Sequence, residues 1–323
     1  MSFLEDLERA TSGLTAPKTL HVIPTGKPIE LLVDGDLVAY RNAAATQGVH
    51  YSVNSVTTKY HKDAKKLVDS ITEEGKEPDY SIIEKHVVPE PIEHALGNLK
   101  RTMEESIQTV EQLTGRPVVV RCYLTADVLF RDEVSATYKK SREGVERPAH
   151  LKACKKFLED YYDAKTVNGY EADDLIAMQH TLVGSDNAVV MSIDKDLKQL
   201  PGQHFDFTKK TMETVAPEDA RHNFWIQVLV GDKVDDIQGL HGVGPVTAKK
   251  ILDEAYGKSE NKYYRTVLKA YKEHFPREEH ESKASWYTRI IKEISKSCRL
   301  LYLCRRPEET WDAPVAVSGD TKK

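Results

Sequence analysis

Long apolar runs are missing from this 323-residue chain. No stretch approaches the ~20 residues that cross a bilayer, so no membrane span is expected. The N-terminus has no basic segment followed by an apolar one, and no secretory signal is expected either. Cysteine is scarce, and the four present (Cys122, Cys154, Cys298, Cys304) lack CxxC spacing. They read as free thiols of a reducing cytoplasm. The histidines show no metal-ligand spacing, and internal repeats, heptads and low-complexity tracts are absent. Positive charge is not in excess: the formal net charge is −5, which does not advertise a nucleic-acid partner. A carboxylate cluster built to hold cations also lowers that total, so local gatherings of basic residues carry the information. What is present, 40% hydrophobic and 30% charged residues, supports a real core and excludes wholesale disorder.

Residues 1–28 lack a clear period and read as an N-terminal extension. Glu30-Leu-Leu-Val-Asp34-Gly-Asp36 is a short apolar run ending in a polar turn, as a buried parallel strand does. Residues 48–91 are polar and fit either paired helices or an inserted excursion. From Ile92 to Leu113 apolar residues recur at helical spacing, and Gly115 with Pro117 ends that helix. Strands follow at 117–127, at 187–196 and near His204, with helices at 149–162 and from Glu171. Residues 218–230 and 260–303 read as helical, and the chain from Pro307 onward as a frayed tail. The pattern implies an α/β core over 29–215, a helical region over 216–306 and a tail over 307–323.

Three predicted strands run out into aspartate: Asp34, Asp127, and Asp194 with Asp196. In an open parallel sheet such ends line one crevice. Glu171, Asp173 and Asp174 lie at a helix start that can reach the same place. Asp232 and Asp235 are three apart, so on a helical turn both face one site. Carboxylates gathered in this way repel one another, and hard divalent cations, Mg²⁺ or Mn²⁺, relieve the conflict. Two ions about 4 Å apart suit in-line phosphoryl transfer. Directly after these acids comes a turn, Gly239, Gly242, Gly244, entering a helix that carries Lys249 and Lys250. Such a turn offers backbone N–H groups to a phosphate.

Together these segments resemble the phage and bacterial 5′-nuclease family, and a phage exonuclease most of all. The residues that carry the resemblance are Leu-Leu-Val-Asp34-Gly, Tyr138-Lys139 with Arg142 and Arg147-Pro148, Tyr170-Glu171-Ala-Asp173-Asp174, Ser192-Ile-Asp194-Lys-Asp196, Gly231-Asp232-Lys-Val-Asp235, and Gly239 through Lys249. They cover about residues 30–255. The resemblance implies a PIN-like α/β fold, a mostly parallel sheet flanked by helices, with a C-terminal helix-hairpin-helix. It implies metal ligation by Asp34, Asp127, Glu171, Asp173, Asp174, Asp194, Asp196, Asp232 and Asp235. Lys139 and Arg142 would meet the scissile phosphate. Tyr138, Lys140, Gly239, Gly242, Gly244, Thr247, Lys249 and Lys250 would contact DNA, with Tyr138 either stacking on a base or packing in the core. K⁺ at the hairpin turn is a further implication.

The implied activity is metal-dependent 5′–3′ exonuclease or flap endonuclease cleavage of duplex DNA, extending to RNA–DNA hybrids. The implied setting is replication or recombination in a bacterial or phage-infected cytoplasm, as a monomer with a replication-protein partner. Two departures from the family stand out. The long gap between Asp34 and Asp127 implies an insertion over 45–91. The short span from Tyr138 to Glu171 implies a reduced arch near 131–165, which favours exonuclease action on duplex ends. Two rival readings are a haloacid-dehalogenase-type phosphatase, with Asp34 as nucleophile and Asp36 as acid, and a non-catalytic DNA-binding protein. Both leave most of the acids idle.

Overall fold

An unbroken apolar stretch ending in an acid requires a strand covered on both faces, and Ile29–Asp34 is that strand. The computed structural model describes residues 26–314, so the predicted N-terminal extension lies almost wholly outside the described residues. In chain order these residues form β1 (Ile29–Asp34), α1 (Gly35–Ala44), β2 (Gln47–Val53), β3 (Val56–Thr58), α2 (His61–Ile71), β4 (Glu84–Pro89), α3 (Ile92–Thr114), β5 (Val118–Tyr123), α4 (Phe130–Val134) and α5 (Leu151–Tyr162). They continue with α6 (Ala172–Val183), β6 (Ala188–Met191), β7 (Gly202–Asp206), β8 (Thr211–Val215), α7 (Pro217–Val230), β9 (Gly231–Asp232), β10 (Ile237–Gln238), α8 (Pro245–Leu252), α9 (Glu260–His274) and α10 (Lys283–Leu301). The described chain divides into two compact units. One comprises residues 37–105 and 147–161; the other comprises residues up to 36, 106–146 and from 162 onward.

The larger unit holds a five-stranded sheet in the order β5-β1-β6-β7-β8. β1 pairs in parallel with β5 and β6, β6 pairs in parallel with β7, and only β8 is antiparallel. This is the mixed α/β, mostly parallel sheet expected. Because β1 and β6 run the same way with Val33 opposite Met191, Asp34 and the residues after Met191 emerge at one edge. Gly35 is required there: a Cβ would sit 2.6 Å from the Tyr123 carbonyl oxygen, so only glycine lets the chain turn directly after Asp34.

Leu32, Val190, Ile176, Ala177, Leu197 and Leu200 fill the space between sheet and α6. A second core gathers Trp225, Tyr263, Val267, Ile290 and Ile294 from α7, α9 and α10. Burying each such Leu, Ile or Val contributes roughly 1.5–3 kcal/mol. The helical stretch expected over 260–303 is two helices, interrupted where Pro276 forbids continuation. The tail expected to fray is anchored as far as it is described: Trp311 is buried and meets Trp225 edge-on at 6.1 Å.

Of the two readings of 48–91, paired helices or an inserted excursion, the smaller unit rules out the first. β3, β2 and β4 form an antiparallel sheet, and α2 packs on it through Val53, Ala64 and Val68. Its first hairpin turns at Asn54 and Ser55, both at positive φ, as a two-residue turn between twisted strands requires. α5 is tied to this unit by Ala149 N–H donating to Gln47 at 3.0 Å and by His150 bonding the Glu90 carbonyl at 2.7 Å.

Candidate active site

At the C-terminal edge of β1 and β6, short hydrogen bonds hold one acid to the next. Asp34 is 5% exposed and accepts a bond from Ser192 Oγ at 2.9 Å. Ser192 Oγ in turn receives the Asp194 N–H at 3.0 Å, and Asp194 receives the Asp196 N–H at 2.8 Å. The side-chain amide of Gln227, from α7, donates to Asp196.

α6 begins beside this edge. Glu171 is its N-cap, and Asp174 reaches back to accept the Glu171 N–H at 3.2 Å. The neighbouring acids of this first turn face different ways. Asp174 is wholly buried and receives Arg131 through two guanidinium nitrogens, at 2.5 and 2.9 Å, together with the Cys304 N–H at 3.0 Å. Arg131, itself buried, also donates to the Leu300 and Tyr302 carbonyls and lies 3.1 Å from Glu171. Asp173 instead lies in the field of Asp34, Asp194 and Glu171.

The third part is a turn docked on a loop. Between β9 and β10, Asp232 accepts the Val234 N–H at 2.8 Å, folding 232–235 into a tight turn. The loop after α4 packs on it. Lys139 N–H donates to the Asp235 carbonyl at 3.1 Å, Ser141 N–H donates to the Asp236 carboxylate at 2.7 Å, and Arg142 grips the Asp235 carboxylate. The Lys139 ammonium bridges Glu171 and Asp235, and Lys195 bridges Asp232 (3.2 Å) and Asp196 (4.0 Å).

Charge is unevenly shared. Burial pushes Glu171 up, but Arg131 and Lys139 outweigh it and hold the carboxyl below its usual range. Burial and the like charges of Asp34, Asp194 and Glu171 push Asp173 well above that range. Asp196 is pushed up to about 7 by burial and Asp194. Asp235 is raised by burial despite Lys139 and Arg142. Among the described residues no three His, Cys, Asp or Glu side chains are close enough to share an ion, and the bridging positions between acid pairs are held by Lys139 and Lys195.

Residues 92–224 match the family model described as the 5′-3′ exonuclease N-terminal resolvase-like domain. Over these residues the chain is similar to the 5′-nuclease family. It is 32% identical over 145 residues to a 5′-3′ exonuclease of Aquifex aeolicus, covering 41% of this chain and 50% of that protein. It is 28% identical over 168 residues to the exonuclease of Escherichia phage T7, covering 49% and 55%. It is also 37% identical over 103 residues to DNA polymerase I of Rhizobium leguminosarum, covering 28% and 10%. The chain thus spans from a tenth to about half the length of these relatives. A solved structure of T5 5′-exonuclease with divalent zinc bound shares the fold, with a TM-score of 0.51 at 17% identity, covering 86% of this chain and 90% of that one.

The structure gathers Asp34, Glu171, Asp173, Asp194, Asp196, Asp232 and Asp235, with Lys139 and Arg142 among them. It sets other expected residues elsewhere. Asp174 is turned inward and saturated by Arg131 and backbone donors. Asp127 is exposed, four residues past the end of β5, and the charges felt by Asp173 come from other acids. Tyr138 is buried with its hydroxyl 2.7 Å from Glu171, so its ring packs in the core and is closed to a base. Asp232 and Asp235 sit on a strand end and a turn, not on a helix. Gly239 is where two backbones cross: a Cβ would lie 2.1 Å from the Val230 carbonyl carbon. Gly242, Gly244, Thr247, Lys249 and Lys250 are exposed along the turn into α8, and Lys140 is exposed on its loop.

Four residues of the site escaped sequence reasoning. Arg131 and Gln227 act through partners distant in sequence, and Ser192 and Lys195 join such partners, Asp34 and Asp232, to acids beside them. Ser192 and Lys195 carried a local signal, since both stand in the run Ser192-Ile-Asp194-Lys-Asp196.

Proposed function

We propose that this chain is a divalent-metal-dependent 5′–3′ nuclease that hydrolyses phosphodiesters of DNA at duplex ends or flaps. The observation that carries this reading is the crowding around Asp173, a half-buried carboxyl on which the like charges of Asp34, Asp194 and Glu171 bear. Oxygen donors packed against mutual repulsion suit a hard cation. Both bridging positions in the site already hold a positive charge between two carboxylates. Ions entering the site would have to displace Lys139 and Lys195 from between the acid pairs and draw the carboxylates closer; Asp34, Glu171, Asp173, Asp194, Asp196, Asp232 and Asp235 would then hold two Mg²⁺ or Mn²⁺ ions. When bound, such ions supply Lewis-acid stabilisation of the charge that develops on the phosphate.

The chain's own residues do the rest. Lys139 and Arg142, on one short loop, present cations to the phosphate. The backbone bonds from Lys139 and Ser141 to Asp235 and Asp236 hold that loop at the acids. Gly242 through Lys250 grips duplex backbone by its exposed N–H groups and lysines, with K⁺ at the turn. The same chemistry extends to the RNA strand of a hybrid. The phosphatase alternative is disfavoured because Asp36 is turned to accept the Thr125 N–H at 2.8 Å. End-labelled duplex incubated with Mg²⁺ tests the reading. Wild-type protein should release short 5′ products, and Asp173→Ala should release none while still binding DNA; full cleavage by Asp173→Ala would overturn it.

A further inference from the structure

The smaller unit has no part in the site above, and one of its faces has a composition that calls for a ligand. Its core is small, and two aromatic rings stay outside it: Tyr60 is 54% exposed and Tyr80 41%. Both carry lysines. Lys59 and Lys62 place their ammonium groups 5.9 and 5.5 Å from the centre of the Tyr60 ring, and Lys65 lies 5.0 Å from that of Tyr80. Lys62 and Lys65 are about one turn apart on α2, so a single basic row links the two rings.

The acids nearby are otherwise engaged. Asp63 pairs with Lys66 at 3.5 Å, and Asp69 accepts the Tyr80 hydroxyl at 2.7 Å, which pins that ring by its edge. Among the described residues none of Lys59, Lys62 and Lys65 is ion-paired.

A positive row bearing aromatic faces matches a polyanion that also offers flat, unpaired rings. Duplex DNA supplies the charge but keeps its bases stacked inside. An acidic peptide supplies charge without stacking partners. We propose that the face formed by Lys59, Tyr60, Lys62, Lys65 and Tyr80 binds single-stranded nucleic acid without sequence preference, bases against the tyrosines and phosphates on the lysines. The choice of nucleic acid as occupant rests in part on the nuclease reading, but the face itself is independent of the acid cluster.

The test is fluorescence anisotropy of labelled oligothymidylate with the full chain in EDTA, where cleavage cannot intervene. Tyr60→Ala/Tyr80→Ala and Lys62→Glu/Lys65→Glu should each weaken binding by about tenfold or more. Blunt duplex should bind within about twofold of wild type, and thermal melting, followed by circular dichroism, should be unchanged because these side chains are exposed. Unaltered oligothymidylate binding in both variants overturns the proposal, as does an equal loss for duplex. Equal competition by a polyglutamate of matched length would show that charge alone is read, and would overturn it too. Cleavage of duplex ends under Mn²⁺ is measured alongside. Wild-type cleavage without any effect of the variants sinks only this face, whereas single-strand binding without wild-type cleavage sinks only the nuclease reading.

Discussion

The Lys139 ammonium is seated on the Glu171 carboxylate and also lies 3.6 Å from Asp235. A lysine proposed to meet a phosphate is thus also the counter-ion of two acids proposed to hold metal. Burial disfavours its charge, but Glu171 and Asp235 outweigh that and keep it protonated. Lys139→Ala should lower the cleavage rate by about 10²-fold, the scale on which one preorganised electrostatic donor acts. It should also tighten Mn²⁺ binding, read by electron paramagnetic resonance without DNA, because a competing cation is gone. Weaker Mn²⁺ binding in this variant would show that Lys139 supports the metal site instead of competing with the ions.

Arg131 and Asp174 form a buried pair that joins the start of α6 to the chain just after α10. Breaking one side leaves a buried charge alone. Arg131→Met should therefore lose about 3–5 kcal/mol in urea unfolding. The double variant Arg131→Met/Asp174→Leu should recover most of that loss. A double variant as unstable as the single one would mean that the backbone bonds, not the charge, carry the cost.

Gly239 and Gly244 look alike in sequence and should behave differently. A Cβ at Gly239 collides with Val230, whereas one at Gly244 meets nothing within 4 Å. Gly239→Ala should cost about 1–3 kcal/mol or more, while Gly244→Ala should stay within about 0.5 kcal/mol. Thermal melting of the two variants side by side decides this.

His180 and His204 are buried and bond the Pro201 and Leu200 carbonyls at 2.7 and 2.8 Å. Burial lowers both below their ordinary value. The unfolded chain therefore takes up protons first as the pH falls. Their contribution to stability is present above the unfolded value of roughly 6.5 and is lost as the pH drops through the folded one. Melting temperature should fall from pH 7.5 to 5.5, and His204→Gln should flatten that slope. An unchanged slope would assign the acid sensitivity to other groups.

Much of this was legible from residue order. The strand Ile29–Asp34 and the acids after Met191 could be read because a parallel sheet demands a continuous apolar run, and the chain must then turn where polar residues stand. The helix over 92–114 could be read because its apolar spacing is local. The hairpins of the smaller unit could not, since their strands lack a buried alternating face: β4 is largely exposed along its length.

What the sequence determined by itself, then, was which residue types meet: a parallel sheet whose strands end in acid, a capped helix start, a glycine turn. Those follow from backbone periodicity and local turn chemistry. Tertiary structure decided their separate roles. Asp173 and Asp174 are neighbours of the same chemical type at the same helix start. One faces Asp34 and Asp194 while the other is claimed by Arg131, because successive helical residues point about 100° apart and only packing determines what waits in each direction.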